Sequence, residues 1–566
     1  VLFFLALVLV AFFRGSGPLT WDELLYMDHS WNLDKGEWIH HRSWLTNRYW
    51  HIYLQALFMR ITGDALIGAR LFWSFLFAVS TVSIYLAARN LARSHHLLIG
   101  AVAALLFFSF RVVFAYAGVT YPDFTLGAHL AMTSVVYLSL RSSEGSKDRI
   151  LLSVFGLLVF LSLKSRELGL CLLPLFTGVG FDQSGAWSIS RFSRRSLWAI
   201  AAFSFCAFAN LIADSILVTQ SPFWDLPERI TKGGENPYLF SVITSTPLHV
   251  LVEGSFLCPT LLYLASFGVL KNKGYSSYER ILWLIPLFAI TILFVRTFVT
   301  HWDTYDRYLL VTVPFLCVCG SQTFLAFSRL GRKLGFTLFG AAMTVLTSIG
   351  AHRLLGWPDG SAYLKNWDRQ VFYETLVFPI GSIGCLVLLG LVSKWTRFRV
   401  FVFGLFFWLA LYPALKTNFV GLVTGSSIQV SQRRFDPLEA FGDRIDLSSG
   451  KRLFVLTSLY DDCETFGRDP VSCSRLFNVY FNADTEANQF ARGDLVTLDK
   501  EFRGFENILL TAQDWRQLSE RWTQSQDPEI VLSPDGTRFT LEKDSGNRFY
   551  FLKLLNRPWK ELDPSP

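Results

Sequence analysis

Residues 150–181 read ILLSVFGLLVFLSLKSRELGLCLLPLFTGVGF. Two apolar runs, 150–163 and 168–181, are separated by Lys164-Ser165-Arg166-Glu167. A charge in mid-hydrocarbon costs about 3 kcal/mol, so this interruption belongs where water, an opposite charge or an anion can receive it. Each run is shorter than the roughly 20 residues a helix needs to cross about 30 Å of hydrocarbon. The stretch is therefore either one helix with charges in its middle or two spans meeting at a polar tip.

Loop charge decides between these. Every second connection along the chain is short and basic: Arg89 and Arg93; Arg141, Lys147 and Arg149; Arg191, Arg194 and Arg195; Lys271, Lys273 and Arg280; Arg329, Arg332 and Lys333; Lys394, Arg397 and Arg399. The positive-inside rule makes these loops cytoplasmic. Merging 150–181 into one helix would move every later basic loop outside, so the two-span reading is retained. The fold expected is a polytopic α-helical membrane protein with about thirteen spans. They are an opening run to Phe13 and runs near 65–88, 98–117, 123–140, 150–163, 168–181, 196–217, 248–270, 281–299, 308–327, 334–352, 374–392 and 398–415. Arg14-Gly15-Ser16-Gly17 lacks a small-residue cleavage pattern, so the opening run is read as an uncleaved helix.

Composition agrees. Of 566 residues, 51% are hydrophobic and 17% charged, and mean hydropathy is +0.35, against about 25% charge in soluble domains. The net charge of +7 is accounted for by basic loops and gives no reason to expect nucleic-acid binding. From about residue 421 to 566 the sequence turns polar, with strand-like runs at 453–456, 508–510, 530–532, 539–541 and 549–552 and a Pro534-Asp535-Gly536 turn. A small extracytoplasmic α/β domain is expected there, following a membrane domain over 1–420. Cys463 and Cys473 could form a bridge in that compartment, whereas the six cysteines within apolar runs read as small buried hydrophobes.

The topology collects four polar clusters on the outer face. Thr20-Trp21-Asp22-Glu23, early in an external loop over 14–64, has capping-box spacing, and Asp22 is also placed to be a general base at the hydrocarbon edge. Tyr121-Pro122-Asp123 has ordinary helix-start chemistry, with Asp123 as a second carboxylate for the same cavity. At the tip, Lys164, Arg166 and Glu167 are either internally paired or, through the two cations, a phosphate clamp. His301 to Tyr308 gathers His301, Asp303, Asp306 and Arg307 among aromatic residues suited to an interfacial belt. His40, His41, Arg42, Arg48 and His51 read as solvated loop residues, and no metal-ligand spacing appears.

In this layout residues 1–320 resemble the GT-C glycosyltransferase superfamily, in the branch of protein O-mannosyltransferases and the lipid A aminoarabinose transferase. The resemblance rests on Asp22-Glu23 with Tyr26, Arg70 in Ala69-Arg70-Leu71-Phe72, Pro122-Asp123, Leu163-Lys164 before Leu172-Leu173-Pro174, and Arg307-Tyr308-Leu309-Leu310 before Pro314. It implies transfer of a sugar from a polyprenyl-phosphate donor to an acceptor hydroxyl on a protein, lipid or glycan. Asp22 is then the base, Glu23 its neighbour in positioning, and Lys164 and Arg307 lie near the donor phosphate. Tyr26, Asp123, Arg166, Glu167, His301 and Asp303 complete the expected substrate-binding set. No cofactor is required, and a divalent metal is compatible but not indicated. The chain departs from the pattern where a Lys-Gly-Pro type turn is replaced by Lys164-Ser165-Arg166 and a Pro-Pro-Leu element by Asn47-Arg48-Tyr49-Trp50-His51. The competing class is a flippase for lipid-linked sugars, which would set its charges nearer the midplane and show internal repeats.

Overall fold

The computed structural model describes residues 26, 27, 29–31, 48–110, 112, 113, 121–143, 145–181, 186–217, 259, 260, 262–264, 266, 267, 270, 275–300, 306–323, 452–456, 490–501, 505–543 and 549–556. The opening run, the 420/421 boundary, the Cys463–Cys473 pair and the spans expected over 334–415 lie outside them. The described residues fall into two compact units, one built from 48–51 and 71–323, the other from 26–31, 52–70 and 452–556.

The helices of the first part of the chain are α1 Tyr49–Thr62, α2 Ala65–Leu91, α3 His96–Ser109, α4 Pro122–Ser139, α5 Gly145–Ser165, α6 Leu173–Gly178, α7 Ile189–Leu217, α8 Ser277–Arg280, α9 Ile285–Thr300 and α10 Val313–Ser321. Three 3₁₀ segments, Glu167–Leu172, Ile281–Leu284 and Asp306–Val311, run directly into α6, α9 and α10. Ile67–Leu91 and Ile189–Ile212 are long and apolar enough to cross a membrane as they stand.

The shorter run after the tip crosses the bundle too, and its geometry explains how. A 3₁₀ turn rises about 2.0 Å per residue against about 1.5 Å in an α-helix. Six residues of each, Glu167–Leu172 and α6, therefore extend about 21 Å. Arg166, at the start, is joined to Asp123 in the first turn of α4. Val179, just past the end, receives the Arg195 guanidinium at 3.5 Å, and the same side chain donates to the Leu140 carbonyl at 2.9 Å beyond the last turn of α4. Residues 150–181 are thus two antiparallel elements, as the loop charges required. Arg166 breaks the helix in an extended conformation, φ −167° and ψ 151°. Gly169 lies so close to Ser162 and Leu163 that a Cβ would meet their backbone at 2.6–2.8 Å.

Basic loops meet at the other end of the bundle. Glu279 is fully buried and binds Arg93 and, at 2.6 Å, Arg141, which join two of the basic connections to a third. Its carboxylate also closes a capping box with Ser276. Beside it Tyr137 and Tyr278 stack at 4.2 Å, and each hydroxyl donates to the other's backbone carbonyl. Asp148 pairs with Arg195, bringing in a fourth connection. On a neighbouring side Gln322 donates to the Ala88 carbonyl at 3.2 Å and accepts from the Tyr275 hydroxyl at 3.3 Å. Close packing supports the pairing: Gly156 of α5 approaches the Ala199 carbonyl of α7 so tightly that a Cβ would sit 2.0 Å from it.

Residues 452–556 hold a seven-stranded sheet in the order β2-β1-β3-β7-β6-β5-β4. The strands are β1 Leu453–Leu456, β2 Phe490–Gly493, β3 Asn507–Thr511, β4 Thr523–Gln524, β5 Ile530–Leu532, β6 Arg538–Lys543 and β7 Phe549–Asn556. β1 pairs in parallel with β2 and β3, and the rest is antiparallel. One face packs Phe454, Ile508, Leu510 and Leu552 on Leu498 and Leu518 of helices α11 Leu495–Glu501 and α12 Ala512–Ser519. The expected strand runs are all in place, and the Pro534-Asp535-Gly536 turn carries Gly536 at φ +87°.

Removing the anion that joins three connections would leave two guanidinium groups facing each other. Each is about one-third exposed, which lowers the cost below that of a fully buried pair. Glu279→Gln is expected to destabilise the protein by about 2–3 kcal/mol, read as a lower denaturation midpoint in detergent at unchanged transition steepness.

Candidate active site

The first turn of α4 organises the tip end. Pro122 occupies the first helical position and Asp123 follows it, so the helix starts with its missing N–H harmless and a carboxylate at its positive end. Successive residues at 100° intervals then face three directions.

Asp123 turns to Arg166, forming an ion pair in which both side chains are 2% exposed. The guanidinium carbon also lies 3.9 Å from the centroid of the Tyr308 ring, a close cation–π stack. Its Nε is 3.8 Å from Glu167, a carboxylate that is 46% exposed. One buried cation therefore ties together the start of α4, the 164–167 tip and the 3₁₀ turn at 306–311. Phe124 packs on Trp73 of α2 at 5.5 Å between ring centroids. Thr125 reaches His51 of α1, with Oγ1 and Nδ1 2.8 Å apart and the imidazole tilted on Phe72 at 5.6 Å.

One turn further, Ser165 of the tip donates to the Leu161 carbonyl at 2.8 Å. Its oxygen is then the acceptor for the Nδ1–H of His129, 3.1 Å away, which assigns the proton on that ring to Nδ1. The tip is consequently bound to α4 twice, by Arg166 to Asp123 and by Ser165 to His129. Lys164, half-buried, and Glu167 carry its remaining charges.

These contacts revise two readings of the sequence. The loop expected over 14–64 contains α1, and Arg48 and His51 are buried rather than solvated. The signal was present: Tyr49-Trp50-His51-Ile52-Tyr53-Leu54 begins an apolar helical run. His129 and Ser165 were passed over because each sits inside or beside an apolar run, where the pattern shows no reason for a polar group. Of the other expected site residues, Tyr26 is fully buried in a helical stretch whose Ser30 donates to the Tyr26 carbonyl at 2.7 Å and to Gln55 of α1 at 3.0 Å. Arg307 lies in the 3₁₀ segment one residue before Tyr308. Asp22, Glu23, His301 and Asp303 lie outside the described residues. Among the described residues no three His, Cys, Asp or Glu side chains gather so as to hold a metal ion.

No family model matches the chain, and no curated protein does. Among solved structures, ArnT from Cupriavidus metallidurans bound to undecaprenyl phosphate is similar with a TM-score of 0.56 at 14% identity, over 97% of both chains. The apo form of the same protein gives 0.51 at 14% identity over 97% of this chain and 96% of that one. At that identity the likeness establishes the fold.

Asp123→Asn and Arg166→Gln are each expected to destabilise the protein by about 3–5 kcal/mol, because each leaves its buried partner uncompensated. The double variant should cost no more than either single one. Denaturation midpoints of the four proteins give the coupling energy, and simple additivity would contradict the pairing.

Proposed function

We propose that the protein is a membrane glycosyltransferase that moves a sugar from a polyprenyl-phosphate donor to an acceptor hydroxyl at the tip end of the bundle, on the extracytoplasmic side. The observation that carries this reading is the likeness over nearly the full length to a structure that holds undecaprenyl phosphate. Two features of the chain support it. Its polar tip is fixed in place by buried contacts, and the motif order from Asp22-Glu23 to Arg307-Tyr308 follows that of enzymes with such donors.

A sugar on a lipid monophosphate already has a competent leaving group. The protein must supply a base for the incoming hydroxyl and positive charge for the departing phosphate. In this reading Asp22 takes the hydroxyl proton as the acceptor oxygen attacks the anomeric carbon. The bond from that carbon to the phosphate oxygen breaks in the same displacement and inverts the centre. Polyprenyl phosphate leaves with both bonding electrons, its charge met by Lys164 and Arg307. Glu23 and Tyr26 position the acceptor side, and His301, Asp303 and Glu167 line the donor sugar.

Arg166 has a different task from the phosphate fork considered for it. Its guanidinium is committed to Asp123 and the Tyr308 ring. The pair acts by placing Lys164 and Arg307, its sequence neighbours on the two segments it joins. In this reading Asp123 correspondingly anchors the tip.

The test incubates purified protein with a panel of polyprenyl-phosphate sugars and measures released lipid phosphate. Asp22→Asn is expected to lower turnover by about 10²–10⁴-fold while the protein stays folded. Full transfer activity in that variant would exclude Asp22 as base. Flipping of lipid-linked sugars that persists in an Asp22→Asn, Glu23→Gln variant, with no transfer in the parent, would replace the enzyme by a transporter.

A further inference from the structure

At the basic end, the helix pair α5–α7 carries two exposed cations that no carboxylate among the described residues answers. Arg149, in the second turn of α5, lies over the Trp198 ring of α7, its guanidinium carbon 5.3 Å from the centroid. Arg194 precedes Trp198 by four residues, one turn away on the same side of α7. The nearest carboxylate in sequence, Asp148, is already bound by Arg195 and, at 2.6 Å, by the Ser143 hydroxyl. Among the described residues neither Arg149 nor Arg194 has an ion-pair partner. Beside Trp198, which is 39% exposed, Leu197 is 63% exposed, and the same side of α7 continues through Phe205, Phe208 and Ile212, exposed by 73%, 63% and 44%. From Leu197 to Ile212 this apolar stripe runs about 22 Å along the helix.

We propose that this face is a binding site for an anionic glycerophospholipid. Its phosphate sits between Arg149 and Arg194, its glycerol lies against Trp198, and an acyl chain follows Leu197, Phe205 and Phe208. The chemistry matches at each level: arginine offers paired N–H donors to phosphoryl oxygens, tryptophan favours the headgroup boundary, and the stripe below asks only for hydrocarbon. A second copy of the chain fits less well. Two copies in the same membrane orientation, packed through this face by two-fold symmetry, would bring the arginine pairs together at one depth with no anion between them. The site is at the opposite end of the bundle from the tip, and the inference does not depend on the glycosyl-transfer reading.

The test uses the purified full chain in detergent, with native mass spectrometry to measure retention of dioleoyl phosphatidylglycerol against dioleoyl phosphatidylcholine. The parent is expected to retain the anionic lipid preferentially. The Arg149→Gln, Arg194→Gln variant is expected to bind it roughly thirtyfold more weakly and to lose the preference, at about 1 kcal/mol per cation. Both side chains are exposed, so the lipid-free melting midpoint should be unchanged. Lys147→Gln is the charge control, because two residues along α5 place Lys147 about 200° from Arg149, and it should change retention little. Trp198→Ala is a second variant that keeps both cations and should weaken retention of the anionic lipid. The proposal is overturned by equal retention of the two lipids in the parent, or by an unaltered double variant. A Lys147→Gln effect as large as that of the pair would also overturn it. So would a dimer abolished by Trp198→Ala, which would make a second copy the occupant, or full displacement of the lipid by inorganic phosphate, which would make this a free-anion site.

Discussion

Charge buried in a hydrocarbon-spanning bundle must be answered by opposite charge, and the arrangement of this protein follows from where that is achieved. Asp123 and Arg166 are paired at one end of α4; Glu279 with Arg93 and Arg141, and Asp148 with Arg195, are paired beyond the other. The 18 residues of α4 separate the two layers by about 27 Å, close to the roughly 30 Å of a bilayer's apolar core. Between the layers the polar groups of α4 satisfy themselves locally or with a neighbour. Thr133 donates to His129, Ser134 to Ala131, and His129 to Ser165.

The two layers differ in character, and so do their consequences. The basic-end layer joins connections through carboxylates whose arginine partners keep an exposed edge, so it serves as a lock between helices. The tip-end pair is almost wholly enclosed. Its arginine is held by a carboxylate on one side and a tyrosine face on another, which joins the tip to the 306–311 turn.

Much of this was legible in the residues. Alternating basic loops kept 150–163 and 168–181 apart as two antiparallel elements, and the Lys164-Ser165-Arg166-Glu167 interruption gave a turn where a hydropathy reading by length alone would have drawn one helix. Length misleads because a 3₁₀ segment covers more distance per residue, and no sequence period announces that choice over Glu167–Leu172. Internal pairing and a phosphate clamp were both open for the tip, since sequence cannot say which charge lies across the bundle from Arg166; Asp123 is 43 residues away. His51 was misread for a related reason. It lies within an apolar helical run, and its own contacts with Phe72 and Thr125 are what remove it from water. In the sheet domain the five apolar runs were visible, while β2 and β4 carry too little alternation to be seen.

The claim on which the rest depends is that the two charge layers mark two opposite faces of a membrane. Single-cysteine labelling in intact cells with an impermeant maleimide tests it, using Glu167→Cys at the tip and Arg149→Cys at the basic end, each read above the background of the native cysteines. Both positions are exposed on the protein surface. Glu167→Cys should label from outside, and Arg149→Cys only after the cells are permeabilised. Labelling of both from the same side would contradict the account.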